Sequence, residues 1–169
     1  LINAWAAKTA GGKLEPFAYD PGPLGAEDVE IAVEHCGICH SDLSLLDNEW
    51  GMTQFPFVPG HEATGRVVAL GAEAKGLKIG QRVGLGWSAK SCMHCKQCLQ
   101  GYQNLCESLQ PTLLGRHGAF ADRVRAHRRL DPLQHQVAAR GERRAPSRLD
   151  HGRRVGLADH RRPGDGVVR

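Results

Sequence analysis

Apolar residues recur at every second position through much of the first part of this chain. In DVEIAVEHCGI, Val29, Ile31 and Val33 alternate against Asp28, Glu30 and Glu34, so one side of an extended segment is apolar and the other charged. That period predicts a strand with one buried face. INAWAAK, GRVVAL, QRVGLG and AFADRVRA read as further strands, with the turn clusters DPGPLG, VPGHE and LGAEAKGLKIG between them. Short strands at this spacing predict a mainly β fold, a small barrel or sandwich. One segment breaks the period. In SDLSLLDNEW, Leu43 and Leu46 stand among polar neighbours, which predicts one or two helical turns. No internal repeat is present.

The pattern stops between residues 122 and 130. Up to residue 122, nine Lys and Arg stand against thirteen acids; from 123 to 169 there are thirteen Arg against five acids, so the net charge of +4 belongs to the tail alone. The tail holds no Lys, no Cys and no aromatic residue, the last aromatic being Phe120, and offers little bulk for a core. At 169 residues one domain of ordinary size is expected. A hydrophobic content of 41% suits a soluble globular protein, and no apolar run approaches the roughly 20 residues that span a bilayer. A cytoplasmic protein without a membrane partner is therefore expected.

Candidate chemistry concentrates in SCMHCKQCLQGYQNLC. Cys92, Cys95, Cys98 and Cys106 follow the spacing C-x2-C-x2-C-x7-C, which lets four thiolates converge on one tetrahedral ion. A site closed by four protein ligands leaves no position for substrate, so it is predicted to be a structural zinc site, on a loop from 88 to 107. Two disulfides would need an oxidising compartment, and the sequence opens with no positively charged, then apolar, export segment. His94 lies inside the quartet and could replace a cysteine, but four thiolates already fill the shell.

Two further ligand types stand apart: Cys39 in GICHSD and His61 in PGHE, 22 residues on. Either alone would be an ordinary core or turn residue. In order and spacing, GICHSDL, PFVPGHEATGRVVALG and then the quartet resemble the zinc-dependent medium-chain alcohol dehydrogenases, in particular the cinnamyl alcohol dehydrogenase-like branch, from about residue 2 to 126. The resemblance implies that residues 1–127 form the family's catalytic domain, a GroES-like, partly open β-barrel. It implies Cys39 and His61 as two ligands of a catalytic zinc, Glu62 as a carboxylate able to approach the metal, and Asp42 as the group that orients His61. Ser41 would receive the alcohol proton, and His40 would lie near the cofactor phosphates or ribose. Where many relatives carry a relay histidine, this sequence has Ser44, so that proton exit is in doubt. Trp50 and Trp87 resemble substrate-pocket aromatics, and equally suit core positions. Cys36 reads as a small buried residue.

No cysteine follows Cys106, and no G-x-G-x-x-G turn is present. The resemblance would require both, as the third catalytic ligand and as the pyrophosphate cradle of a Rossmann domain, in a chain about twice as long. Residues 128–169 are expected to be a non-homologous tail, from a truncated or frameshifted gene or a disordered basic extension. The expected activity is that of a zinc-dependent, NAD(P)-linked oxidoreductase acting on a small-molecule alcohol or aldehyde, with this truncated form inactive alone. Full-length members would be homodimers or tetramers. The alternative is a non-enzymatic zinc-binding module whose basic tail contacts nucleic acid, although the tail has no aromatic to stack on bases.

Overall fold

The computed structural model describes residues 1–114 and 118–127; the expectations for the tail, residues 128–169, fall outside the described residues. The described chain is mainly β. In order it forms β1 (Ile2–Ala6), β2 (Glu15–Tyr19), β3 (Asp28–Gly37), α1 (His40–Leu46), β4 (Glu62–Leu70), β5 (Arg82–Leu85), β6 (Ser88–Lys90), α2 (Lys96–Leu99), a 3-10 turn at Gln103–Leu105, β7 (Gln110–Pro111) and β8 (Arg123–His127). Among the described residues no helix is long and apolar enough to cross a membrane.

Four strands form an antiparallel sheet in the order β5-β4-β3-β8. Val29 lies opposite Leu70 and Ala126, and Ile31 opposite Val67 and Val124, so the predicted apolar face of β3 meets apolar partners on both sides. These side chains, with Val83 and Leu85 of β5, make the main core. Burying each aliphatic side chain contributes about 1.5–3 kcal/mol before the entropy of ordering it. The β1–β2 ribbon closes over the open side, because Trp5 N–H bonds to Phe120 C=O and Asp122 N–H to Asn3 C=O, each at 2.8 Å. The result is a partly open barrel.

Strict alternation fails in β3. The strand shifts register between Glu30 and Ile31 and again between Val33 and His35, and Glu30 is buried beside them. A buried carboxylate needs partners. Arg123 Nη1 and Arg125 Nε donate to its two oxygens at 2.8 and 2.9 Å, and Arg125 also bonds the carbonyls of Pro21, Gly22 and Pro23. Three elements escape the period-two reading. β2 carries Pro16 in a two-stranded ribbon, and β6 and β7 are too short to show a pattern.

Candidate metal centres

β6 and β7 pair Ser88 with Pro111 and Lys90 with Gln110, forming the stem of the cysteine-rich loop. Within it, backbone amides point at sulfur. Cys95 N–H bonds Cys92 Sγ at 3.3 Å, Cys98 N–H bonds Cys95 Sγ at 3.5 Å, and Cys92 N–H bonds Cys106 Sγ at 3.4 Å. Met93 takes a left-handed backbone conformation, φ 60°, which curls the chain between the first two cysteines. The four Sγ atoms all lie within 4.8 Å of one another, with Cys92 and Cys98 at 3.9 Å. Zinc–sulfur bonds of about 2.3 Å in a tetrahedron put sulfurs about 3.8 Å apart, so the donor set and its spacing fit zinc. All six cysteines of the chain are free thiols, so the predicted preference over disulfides stands. His94 is exposed, with its Nδ1 against Cys92 C=O at 2.8 Å, and does not join the sulfurs.

The thiols of the quartet are electrostatically unequal. Backbone N–H groups of His94 and Cys95 pull Cys92 down to about 6, while burial pushes Cys98 up to about 11. Four thiolates packed this closely repel one another unless a cation sits among them.

A second cluster gathers Cys39, His61 and Glu62, whose ligand atoms also lie within 4.8 Å of one another. Cys39 is the residue before α1, His61 the residue before β4, and Glu62 the first residue of β4. Asp42, 3% exposed, ties these segments together. One oxygen accepts Cys39 N–H at 2.9 Å; the other accepts Gly60 N–H at 2.8 Å and lies 3.3 Å from His61 Nδ1. With Nδ1 directed at the carboxylate, the other ring nitrogen is left for a metal. One sulfur, one imidazole nitrogen and one carboxylate fit a zinc site that keeps a fourth position open. Gly60 has φ +98°, and a Cβ there would come within 2.6 Å of Phe120 and 2.9 Å of Cys36 Sγ, so only glycine brings His61 to this place.

The structure brings Ser41 and Trp87 into the same neighbourhood. Ser41 Oγ donates to Cys39 Sγ at 3.3 Å, and the Trp87 ring stands edge-to-face with His61, 5.2 Å between centroids at 86°. His40 is exposed at the start of α1, and Trp50, in the turn after α1, is 48% exposed. Ser44 is buried. Cys36 is half-buried, and burial raises its thiol. The roles of Gly60 N–H and of Thr112, which braces Trp87, escape a sequence reading. Their contacts run through backbone atoms that no side-chain pattern reveals. An acid three residues after Cys39 was the one visible signal for the Asp42 bond to Cys39, since that position reaches back to the start of a helix.

Comparison with known proteins bears on the family and the fold. The model of the alcohol dehydrogenase GroES-like domain matches residues 25–133. Aldehyde reductase AdhA of Synechocystis sp. is 54% identical over 126 residues, covering 75% of this chain and 38% of its own length. Cinnamyl alcohol dehydrogenase 7 of Arabidopsis thaliana is 40% identical, covering 70% of this chain and 35% of its own. Among solved structures, a cinnamyl alcohol dehydrogenase from Sorghum bicolor matches with TM-score 0.69 and 37% identity over 75% of this chain and 38% of that one. One from Helicobacter pylori complexed with NADP(H) matches with TM-score 0.71 and 27% identity, covering 75% and 39%. The chain thus spans little more than a third of the length of these relatives.

Proposed function

This chain belongs to the alcohol dehydrogenase GroES-like domain family, and from that premise we propose that residues 1–127 are the metal-holding catalytic domain of a zinc- and NAD(P)-dependent alcohol dehydrogenase. Its substrate is a small alcohol or the corresponding aldehyde. The observation that carries this reading is the convergence of Cys39, His61 and Glu62 on one point, under a single buried carboxylate.

A zinc ion bound there supplies Lewis acidity toward a hydroxyl or carbonyl oxygen. The chain does the rest by positioning. Asp42 fixes the His61 tautomer and ties Cys39 and Gly60 into one frame, so the donors need no rearrangement when metal arrives. Ser41, whose hydroxyl sits beside Cys39 Sγ, takes the alcohol proton, and His40, exposed on the same helix, faces the cofactor ribose or phosphates. Trp87 walls the pocket beside His61, and Trp50 contributes from the turn after α1. Hydride transfer belongs to the nicotinamide, so turnover requires a dinucleotide-binding domain alongside this one. The comparisons give the nucleic-acid-contacting alternative no support.

The test is a chimera in which residues 1–127 replace the matching part of the Synechocystis aldehyde reductase. NAD(P)H-linked aldehyde reduction is expected, and it should vanish in Cys39→Ser and His61→Ala. A chimera that binds nicotinamide cofactor and two zinc ions yet reduces no aldehyde would defeat the assignment.

A further inference from the structure

Among the described residues the His61 ring has one hydrogen-bond partner, Asp42, at 3.3 Å, long for N–H···O, a contact that by itself allows the imidazole to tilt. The second constraint is the Trp87 indole, at 86° to the imidazole with centroids 5.2 Å apart, which blocks the tilt. Trp87 is in turn braced from the other side. Its C=O accepts Thr112 N–H at 2.8 Å, the preceding Gly86 C=O accepts Thr112 Oγ1 at 2.6 Å, and its side chain packs against buried Leu45, Phe57 and Leu113. Thr112 is fully buried and directly follows β7. Trp87 directly precedes β6. These two strands are the stem whose far ends carry Cys92 and Cys106, so closure of the quartet fixes the stem, and the stem fixes the indole.

We propose that Trp87 is a positioning residue for the Cys39–His61–Glu62 centre, and that through it the cysteine quartet sets the metal affinity of that centre. The inference rests on reading the centre as a metal site. It goes beyond a pocket-lining role, which would alter substrate preference and leave metal affinity unchanged.

The experiment uses the full chain, first given one equivalent of zinc, which the four thiolates retain against cobalt. Cobalt(II) is then titrated without substrate or cofactor and followed by its visible absorption. Trp87→Ala is expected to bind cobalt about 3- to 10-fold more weakly with a shifted band, the scale of losing an edge-to-face aromatic contact. Trp87→Phe should restore both. Thr112→Val, isosteric but unable to bond Gly86, should weaken cobalt by a smaller factor while keeping its zinc. Wild-type affinity and spectrum in Trp87→Ala would overturn the proposal. If that variant loses its zinc, Thr112→Val decides: unchanged cobalt affinity there overturns the coupling, and weaker affinity upholds it. A wild-type chain that takes no cobalt once its zinc is bound would overturn the proposal for this chain, and the metal-site reading falls with it only if the chimera with the Synechocystis reductase, which restores a distal part, also takes no second metal ion.

Discussion

One carboxylate does three jobs at the second centre, and its removal should be felt there alone. Asp42→Asn keeps the volume but turns an N–H toward a donor, so either the Cys39 or the Gly60 amide loses its acceptor. The second zinc should bind about 10- to 100-fold more weakly, the usual cost of losing an outer-shell partner, with the quartet zinc retained; metal analysis after gel filtration reads both. The quartet has its own pH signature. Because backbone N–H groups hold Cys92 near 6, its thiolate persists above that value and is protonated as pH falls through it. Proton competition at that sulfur begins below about 6, so apparent zinc affinity, read against a chromophoric chelator, should fall more steeply with pH below that value than above it. Burial holds Cys98 up near 11, so zinc binding at neutral pH should release its proton to buffer, measurable by calorimetry in buffers of different ionisation enthalpy. At this scale the sequence was informative about ligands, since Cys and His at metal-binding spacing carry their chemistry in the side chain. It was silent about Thr112 and Gly60, whose contacts each involve a backbone group.

Among the elements, the turn into β4 is the most exacting. Gly60→Ala would combine a left-handed φ with contacts of 2.6 and 2.9 Å to Phe120 and Cys36, and is expected to destabilise the fold by more than about 2 kcal/mol, read by urea unfolding. β3 shows where periodicity misleads. The alternation of Val29 and Ile31 correctly located the core face, yet Glu30, assigned to the solvent side, is buried by two arginines from β8. Nothing local in DVEIAV foretells that, because Arg123 and Arg125 lie more than ninety residues away. Glu30→Ala would leave the half-buried Arg125 with only the carbonyls of Pro21, Gly22 and Pro23 as partners. The expected loss is roughly 2 kcal/mol, below the usual range for a broken buried pair, since Arg123 is 37% exposed. The helix after Cys39 was legible from its leucines, whereas β6 and β7 exist only because the quartet loop needs a stem.

For the whole molecule, the fold and the order of its metal-binding segments were readable because the motifs are dense between residues 36 and 106. The expected end of the domain near residue 127 rests on a change in composition alone. A chain cut after His127 is expected to keep the zinc content and unfolding midpoint of the 169-residue form, since every strand among the described residues lies at or before that residue; equilibrium unfolding of the two forms compares them. The pairing of β3 with β8 also sets a schedule for synthesis. Both metal-binding segments leave the ribosome while β3 still lacks one neighbour, and at roughly 5–20 residues per second the wait from Gly37 to His127 lasts several seconds. Through that interval one edge of β3, apolar and unpaired, is open to any other nascent strand, so the yield of folded protein depends on how quickly Arg123–His127 arrive.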